Sequence, residues 1–328
     1  MILVTGAAGH IGNVLVRQLI KGGRRVRALV LPGEDTRALD GLQVELVNGD
    51  VLDVPSLLKA MQGVDYVFHL AGIISIMPGR DEFVRKVNIQ GTKNILKAAK
   101  KCGVKRVLYT SSIHALSRSC EGVIDERVPF DPNNPEGEYD RSKAEASLAV
   151  QEAVRKGQDA VIVCPTGVIG PFDFRGSEMG ELLRGFMQKK AHVLIEGAYD
   201  FVDVRDVARG MILAVEKGRS GEVYILSGEQ VKINRLKDLV QKAMGFATAT
   251  FMIPLSIARL AAKMGPLYYK LTRQTPKFTT YSLDTVCGNS VISHAKASRE
   301  LGYRARPLFK SVTDTIRWWR KGQSSQTI

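Results

Sequence analysis

The sequence contains few cysteines and histidines, and none of them is spaced for metal binding or for a disulfide framework. Its 328 residues include five scattered histidines and four distant cysteines without a CxxC pair, at positions 102, 120, 164 and 287. This usage fits a reducing compartment and predicts no bound metal. No signal peptide pattern precedes the first predicted strand, and no apolar run is long enough to span a membrane. We therefore expect a cytoplasmic protein without a transmembrane segment.

Acidic residues are scarce relative to basic ones. The chain has 33 Asp and Glu against 47 Lys and Arg, which gives a formal net charge of +14. Such a charge favours anionic ligands, acidic membrane surfaces or nucleic acids. The basic residues are spread along the chain, however, with no long Lys/Arg block and no nucleic-acid-binding signature. We therefore predict a solvated basic surface and no nucleic-acid partner.

Hydrophobic patterning predicts strands that alternate with helices. Alternation of this kind implies parallel pairing, so we predict an α/β fold with a doubly wound parallel sheet of the Rossmann type. The predicted strands cover residues 1–5, 25–31, 44–47, 66–70, 107–109, 160–164 and 223–226, and the predicted helices cover 11–20, 54–61, 83–101, 142–156 and 236–244.

A glycine-rich loop joins the first predicted strand to the first helix. Gly6, Gly9 and Gly12 stand between them, with His10 and Ile11 at the predicted helix start. The first glycine permits a tight turn, the second lets the backbone approach a pyrophosphate, and the third allows close packing of helix on strand. The helix N-terminus then directs its N–H groups at phosphate. This context predicts a dinucleotide-binding loop.

The regular alternation loosens after Pro165. Several short elements follow, with Gly-Pro pairs at 170–171 and 265–266. We predict a nucleotide-binding domain over residues 1–165, with its core completed by parts of 200–230. Residues 166–322 are predicted to form most of a smaller, interleaved substrate lobe, and residues 323–328 a flexible tail.

Tyr139 and Lys143 lie four residues apart in Glu138-Tyr-Asp-Arg-Ser-Lys143. Four residues are about one helical turn, so both side chains leave the same face of a helix. An ammonium beside a phenol favours the phenolate and lowers the pKa of the tyrosine. The pair is therefore a candidate general acid or base, and Thr110-Ser-Ser112 lies upstream of it.

Together these motifs resemble the short-chain dehydrogenase/reductases, in the extended branch that forms the NAD-dependent epimerase/dehydratase superfamily. The loop spacing is GxxGxxG, and the resemblance extends over nearly the whole chain, including Phe201-Val-Asp-Val-Arg-Asp-Val-Ala208. The run Pro165-Thr-Gly-Val168 is closest to dihydroflavonol-reductase-like and 3β-hydroxysteroid-dehydrogenase-like members. The resemblance implies an NAD(P)-dependent oxidoreductase and a homodimer that forms through the helices around 83–101 and 140–156.

The resemblance also implies which residues contact the coenzyme. Asp50 and the backbone of Val51 would bond the adenine ring, and the loop Ala71-Gly72 would line the nicotinamide ribose. Asp50 alone could instead cap the next helix, and Asn88 could simply satisfy backbone groups. The implied set consists of Gly6, Gly9, His10, Ile11, Gly12, Arg37, Asp50, Val51, Ala71, Gly72, Tyr139, Lys143, Pro165, Thr166 and Val168.

The choice between NAD and NADP depends on the end of the second strand. A carboxylate there would bond the ribose 2′-hydroxyl and repel a 2′-phosphate. The strand carries no acid, Glu34 and Asp35 follow slightly late, and Arg27 and Arg37 could pair a phosphate. The sequence therefore favours NADP, with NAD as the alternative.

By resemblance, the catalytic residues are Ser112, Tyr139, Lys143 and Asn88. Tyr139 would exchange a proton with the substrate oxygen, Lys143 would lower its pKa and hold the nicotinamide ribose, and Ser112 would bond the substrate oxygen. Ser111 could replace Ser112 in this role. Two O–H donors directed at that oxygen would stabilise the negative charge that hydride addition builds there. Asn88 is expected in the positioning shell.

The residues after Ser112 separate the chemistries of the branch. Dehydratases carry an Asp-Glu pair there, whereas this chain has Ile113-His114. We therefore predict interconversion of a ketone or aldehyde with an alcohol on a moderately apolar small molecule. A nucleotide-sugar epimerase with tightly bound NAD is the alternative, with Arg175, Arg184 and Arg205 as candidate diphosphate ligands. A non-catalytic dinucleotide-binding protein is disfavoured by the intact Tyr–Lys pair.

The apolar segment 251–271 carries basic residues and allows three interpretations. It could form a lid over a hydrophobic pocket, rest on a membrane surface as a basic amphipathic helix, or pack as a cap helix. The sequence does not distinguish these possibilities.

Overall fold

The computed structural model describes residues 1–74, 81–265, 268 and 280–324, and its centre is a seven-stranded parallel sheet. The strand order is β10-β6-β5-β4-β1-β2-β3, which is a doubly wound arrangement. This confirms the predicted fold class. The strands are β1 Ile2–Thr5, β2 Val26–Val30, β3 Glu45–Asn48, β4 Tyr66–His69, β5 Arg106–Thr110, β6 Ala160–Pro165 and β10 Val223–Leu226.

Helices cover both faces of this sheet, because its strands are apolar on both sides. One face packs against α1 and α7, and the other packs against α2, α4 and α5. Each face has its own hydrophobic core, with Leu15 and Met211 in the first and Leu57 and Ile95 in the second. These helices are α1 His10–Lys21, α2 Val54–Ala60, α3 Asp81–Arg85, α4 Gly91–Lys101, α5 Glu138–Arg155 and α7 Val204–Lys217.

The predicted single helix over 83–101 is interrupted by a π-helical turn. Residues Lys86–Gln90 form this turn between α3 and α4. Gly91 follows it, and a Cβ at Gly91 would lie 2.7 Å from a methyl carbon of Val51, so glycine allows the helix to approach β3 closely. Single π turns are frequent at functional sites, and this one contains Asn88.

Helix α5 begins earlier than predicted. It starts at Glu138 rather than at residue 142, so Tyr139 lies in its first turn and Lys143 one turn later. Arg85 donates to Glu138 at 2.9 Å and to Glu145 at 2.9 Å, which ties α3 to the start of α5.

The remaining elements form a second group beside the carboxyl edge of the large sheet. Strands β7, β9 and β11 make a three-stranded sheet, and β8 pairs with β12. A third apolar core lies among α6, α8 and α12, whereas α11 packs on α7 and β10 of the large sheet. The elements are β7 Gly167–Ile169, α6 Glu178–Phe186, β8 His192–Leu194, β9 Ala198–Asp203, β11 Glu229–Lys232, α8 Ile233–Met244, β12 Thr250–Met252, α9 Leu255–Lys263, α10 Thr280–Cys287, α11 Ala295–Leu301 and α12 Leu308–Ser324.

Within the described ranges, no helix combines the length and the apolar character needed to cross a bilayer. The same residues contain no group of three or more His, Cys, Asp or Glu side chains arranged to hold a metal ion. The division into a domain over 1–165 and a lobe over 166–322 stays a prediction. Of the predicted flexible tail 323–328, the structure describes only the backbone of residues 323 and 324, at the end of α12.

Candidate active site

The glycine loop lies at the carboxyl end of β1, where two of its glycines are required by the fold itself. Gly6 has a φ of 66°, and a Cβ there would lie 2.8 Å from the backbone nitrogen of Ala71. A Cβ at Gly12 would lie 2.1 Å from the carbonyl oxygen of Gly6. Both distances are far below van der Waals contact, so side chains at these positions are excluded even before a ligand binds.

Gly9 is under weaker constraint from the protein. It is the N-cap residue of α1, and a Cβ there would approach only the Gly6 oxygen, at 3.2 Å. The side chain of His10 turns toward the carbonyl oxygen of Pro171, 3.1 Å from its Nε2, and burial lowers the pKa of this imidazole below 6.5. Ile11 packs partly into the core. His10 and Ile11 therefore offer a ligand their backbone rather than their side chains.

At the end of β3, Asp50 makes a local turn rather than a helix cap. Its Oδ1 accepts from the backbone of Leu52 at 2.9 Å, whereas Asp53 caps α2 by accepting from Ser56. Asp50 stays half-buried and Val51 is buried against Gly91. Asp53, rather than Asp50, is therefore the cap of α2, and Asp50 lies in the turn that follows β3.

The end of β2 brings together acids and arginines. Glu34 folds back, and its Oε2 accepts from the backbone of Leu31 at 2.9 Å. Arg175, which follows β7, donates to Glu34 at 2.7 Å. Arg37 is largely exposed and pairs with Asp35, and this guanidinium lowers the pKa of the Asp35 carboxyl to about 2.

The loop after β4 is held close to the catalytic helix. The Thr5 hydroxyl accepts from the backbone of Ala71 at 3.0 Å, which fixes the loop against β1. A Cβ at Gly72 would lie 3.1 Å from Asn88 Oδ1 and 3.6 Å from Lys143 Nζ. Gly72 therefore presents bare backbone between these two polar groups.

Asn88 connects this loop to α5. Its Oδ1 accepts from the backbone nitrogen of Ile73 at 2.8 Å, and its Nδ2 donates to the Ile73 oxygen and to Ser142, each at 3.0 Å. Asn88 therefore satisfies both backbone groups of Ile73, and its catalytic role stays a prediction. It positions the loop and the helix, and the π turn directs its amide between them.

The structure brings Ser112, Tyr139 and Lys143 together at the carboxyl edge of β5. Tyr139 faces Ser112, whose hydroxyl favours the phenolate, but burial outweighs this and raises the pKa of the phenol to about 12. Lys143 donates to the Thr110 oxygen at 2.6 Å and to the Tyr109 hydroxyl at 3.4 Å, and burial lowers its pKa to about 8. In this arrangement burial, rather than the lysine, sets the pKa of the tyrosine.

Ser111 and Ser112 point to different partners. The hydroxyl of Ser111 lies 2.7 Å from that of Ser147 on the buried side of α5. Ser112 accepts from the backbone of His114 at 3.2 Å and faces Tyr139. The geometry therefore supports Ser112 as the serine of the site, and Ser111 joins strand to helix.

The predicted coenzyme residues after β6 lie at the entrance to the second sheet. Pro165 ends β6, and the hydroxyl of the buried Thr166 donates to Asp200 Oδ1 at 2.5 Å. Val168 pairs with Val202 in the β7–β9 ladder. Thr166 is thus held by the protein through its side chain and through its backbone nitrogen, which donates to the Leu226 oxygen at 3.4 Å.

Comparison with known proteins agrees with this arrangement. Residues 2–227 match the NAD dependent epimerase/dehydratase family. The chain belongs to this family. It is 34% identical to sterol demethylase protein B of Methylococcus capsulatus over 322 residues, covering 97% of this chain and 98% of that protein.

Two further similarities extend the comparison. The chain is 27% identical to 3β-hydroxysteroid-dehydrogenase/decarboxylase isoform 1 of Arabidopsis thaliana, over 96% of this chain and 78% of that protein. The crystal structure of the protein gox2253 has a TM-score of 0.80 at 32% identity and covers 98% of each chain. The resemblance to extended short-chain dehydrogenase/reductases is therefore confirmed, and the chain is an NAD(P)-dependent enzyme of that type.

The epimerase/dehydratase site of this chain has the shape that a dinucleotide requires. Gly9 is open on its outer side, and Gly72 leaves backbone exposed between Asn88 and Lys143. A Cβ at Gly72 would lie 3.6 Å from the Lys143 ammonium. The residues present thus fit NAD(P), with the glycine loop for the pyrophosphate and Lys143 for the nicotinamide ribose.

Sequence reasoning missed a polar cluster next to Tyr139. His114 Nε2 lies 2.6 Å from the Tyr199 hydroxyl, and its Nδ1 is bonded to Arg118. The Tyr281 hydroxyl donates to Asp140 Oδ1 at 2.9 Å. Burial lowers the pKa of His114 to about 3, so the imidazole is neutral. The sequence offered one signal for this cluster. The acid Asp140 directly follows Tyr139, and helix α5 buries both residues.

Asp140 should make the stability of the protein depend on pH. Its side chain is fully buried, Oδ2 accepts no hydrogen bond from the described residues, and burial raises the pKa of the carboxyl to about 6. The unfolded pKa is about 3.9, so the folded state holds the proton more tightly. The contribution of Asp140 is therefore most favourable below pH 4 and is lost as the pH rises to about 6, by at most about 3 kcal/mol.

Asp140→Asn removes this ionisation and keeps an oxygen that accepts from Tyr281. We expect the melting temperature of the variant to rise relative to that of the original protein between pH 4 and pH 6, and the difference to stay constant above that range. Thermal melts of both proteins at a series of pH values measure this. A difference that does not change with pH would contradict the assignment.

Proposed function

We propose that the protein interconverts a ketone or aldehyde with an alcohol on a moderately apolar small molecule, using NAD(P)(H). The observation that carries this proposal is the position of Ser112 at the end of β5 beside Tyr139, with Lys143 one turn further along α5 and bonded to the Thr110 oxygen of the same strand. Two adjacent hydroxyl groups in a buried site are what a developing alkoxide requires. The absence of an acid pair after Ser112, where the chain has Ile113-His114, argues against dehydration.

The glycine loop and Lys143 would hold NAD(P)H, which would supply the hydride that reduces the carbonyl carbon. The high pKa of Tyr139 keeps its phenol protonated at neutral pH, so it donates a proton to the carbonyl oxygen. Ser112 donates a hydrogen bond to the same oxygen, which stabilises the charge that develops there. Lys143 would hold the nicotinamide ribose. Asn88 holds the loop at Ile73 against α5 by hydrogen bonds to both.

The walls around Tyr139 support an apolar substrate. The rings of His114, Tyr199 and Tyr281 lie together beside the catalytic phenol, and His114 meets Tyr139 edge-on with centroids 6.4 Å apart. Neutral aromatic surfaces of this kind favour flat or polycyclic ligands. The names of the relatives refer to sterols and 3β-hydroxysteroids, so an alcohol on a polycyclic or isoprenoid skeleton is the substrate class we propose.

The epimerase alternative has less support. Its diphosphate would need unpaired basic groups, and each candidate arginine is paired with an acid. Arg175 pairs with Glu34 at 2.7 Å, and Arg184 pairs with Glu181 at 3.2 Å. Arg205 pairs with Asp203 at 2.7 Å and with Asp314 at 2.9 Å. A bound diphosphate would have to compete with these carboxylates, which costs little at the exposed Arg184 pair but more at Arg205, whose partner Asp203 is buried.

A substrate screen tests the proposal. The purified protein is incubated with NADH or NADPH and a set of aldehydes and ketones, with NAD or NADP and the corresponding alcohols, and separately with UDP-sugars. We expect a change in nicotinamide absorbance with apolar carbonyl compounds or alcohols, and none with UDP-sugars. Epimerisation of a UDP-sugar without a net absorbance change, by protein that retains its coenzyme on purification, would establish the alternative.

The preference for NADP stays a prediction, and Glu34 weighs against it. The sequence favoured NADP because β2 contains no acid. Glu34 supplies one after all, because it folds back onto Leu31 at the end of that strand. A carboxylate there accepts a hydrogen bond from the ribose 2′-hydroxyl of NADH and repels the 2′-phosphate of NADPH. NADH should therefore bind at least as tightly as NADPH. Fluorescence titration with both coenzymes measures this, and a strong preference for NADPH would restore the prediction from the sequence.

We also propose a homodimer through α4 and α5. A groove of about 650 Å³ lies between these helices, with Leu96, Leu148 and Ala149 at its floor. Lysines line the α4 side and two glutamates line the α5 side, so a two-fold axis would bring opposite charges together. Light scattering should give the mass of a dimer, and Leu148→Glu should give that of a monomer. A monomeric original protein would reject this interface.

A further inference from the structure

The most exposed apolar surface of the described chain lies on α9 and on the neighbouring strands β8 and β12. Its side chains are each between 46% and 67% exposed. They lie on neighbouring elements, because only two residues separate β12 from α9 and Val193 is in register with Phe251 across the two strands. We name this patch the α9 surface, and it consists of Val193, Phe251, Met252, Ile257, Leu260 and Met264.

Helix α9 packs with its small residues inward and its large residues outward. Ala258 and Ala262 are buried against Ile195 and Leu283, whereas Ile257 and Leu260 point to solvent. A helix on the surface of a water-soluble protein normally has the opposite arrangement, with its large apolar residues in the core. Ile257 and Leu260 therefore contribute little apolar burial to the fold and are available for an external apolar phase.

The charge around the α9 surface is mainly positive, with Asp284 of α10 as a carboxylate that pairs with Arg259. The sequence from 239 to 283 contains no Asp or Glu and six Lys or Arg residues. Arg259 is more than half exposed, its nearest carboxylate is that of Asp284 at 3.7 Å, and Lys263 is exposed at the end of α9. An exposed apolar patch bordered by basic residues has the composition of a helix that lies in the interface of an anionic bilayer.

We propose that the α9 surface rests on a membrane that contains anionic lipids. The nine residues of α9 extend only about 14 Å, which is too short to cross a bilayer but suitable for lying in its plane. A second copy of the chain fits this surface less well. It would bring two basic rims together, and like charges at an interface oppose association.

The α9 surface is connected to the catalytic residues through α10. Leu283 packs against Ala258 and Ala262 of α9, and Tyr281, two residues earlier in α10, donates to Asp140 beside Tyr139. On the proposed function, an apolar substrate dissolved in the bilayer would thus reach the site from the side on which the protein rests. Membrane binding itself depends only on the surface and does not require that function.

Vesicle binding of the full chain tests the proposal. Vesicles of phosphatidylcholine alone, and of phosphatidylcholine mixed with phosphatidylglycerol, are floated with the protein at low and high salt. We expect binding to the mixed vesicles at low salt, weaker binding at high salt, and little binding to phosphatidylcholine alone. The variants Ile257→Ser/Leu260→Ser and Arg259→Gln/Lys263→Gln should each lower the partition coefficient by about tenfold or more.

Matched controls replace residues of the same type elsewhere. Leu46→Ser/Val291→Ser removes two side chains of similar exposure, and Lys21→Gln/Lys59→Gln removes two charges. Both should bind vesicles as the original protein does, and thermal melts establish that every variant is folded. Equal losses in the control and α9 variants would overturn the proposal, as would absence of vesicle binding. A change in oligomeric mass in the α9 variants without a loss of vesicle binding would identify a protein interface instead.

Discussion

Replacing Tyr139 with phenylalanine should lower turnover by at least about 10²-fold while leaving coenzyme affinity unchanged. The substitution removes one hydroxyl from a buried ring and leaves the ring to pack as before. That hydroxyl faces Ser112 and is held protonated by burial, which raises the pKa of the phenol to about 12. Phenylalanine has no proton to donate at this position, so the proton donor beside Ser112 would be lost.

Tyr199→Phe is a matched control for this prediction. Tyr199 is buried to a similar extent, and its hydroxyl lies 2.6 Å from His114 rather than beside Ser112. Its loss removes one hydrogen bond in the aromatic wall, so turnover should fall less than about tenfold. Steady-state rates with the substrate found by the screen, and fluorescence titration of coenzyme, measure both variants. Equal turnover in Tyr139→Phe and in the original protein would refute the assignment of the proton donor.

The elements that could be predicted from the sequence are those with a strong local signal. The strand β10 was predicted at its observed bounds, and the other sheet strands within about two residues, because apolar runs between helices allow few alternatives. The start of α5 was missed, since Glu138 and Asp140 carry no apolar periodicity; the helix begins there because acids suit its first turn and Arg85 holds Glu138.

The parts of the site that could not be predicted depend on contacts between distant segments. Asn88 acquires its role only where the π turn meets Ile73 and Ser142, which are 15 and 54 residues away in sequence. Glu34 reaches the end of β2 through a turn that no strand pattern reveals. The cluster around Asp140 includes Tyr281, which lies 141 residues from it. Burial and pKa follow from such contacts, so residue types at fixed spacing do not indicate them.

The two glycines that frame the start of α1 should respond differently to the same substitution. Gly12→Ala should destabilise the protein by more than about 3 kcal/mol, because its Cβ would lie 2.1 Å from the Gly6 oxygen and the backbone would have to move. Alanine is otherwise the better residue inside a helix, by about 1 kcal/mol, so helix propensity cannot account for such a loss.

Gly9→Ala should lower the stability of the coenzyme-free protein by only about 1 kcal/mol. Its Cβ would contact one backbone oxygen at 3.2 Å, and alanine is a poorer N-cap residue than glycine by a similar amount. The methyl group would stand where the backbone must approach the pyrophosphate, so coenzyme affinity should fall by about tenfold or more, or about 1.4 kcal/mol.

Thermal melts without coenzyme, followed by titration with NADH and NADPH, separate the two effects. For Gly12→Ala the loss should appear in the melt, and for Gly9→Ala it should appear in the titration. Gly63→Ala is a poor control because its φ of 67° strains any side chain, whereas Gly185, which lies in α6 with open space around its Cβ, accepts alanine without either cost. If Gly9→Ala bound coenzyme as tightly as Gly185→Ala, the pyrophosphate would not lie over the N-terminus of α1, and the placement of the whole dinucleotide along the sheet edge would have to be abandoned.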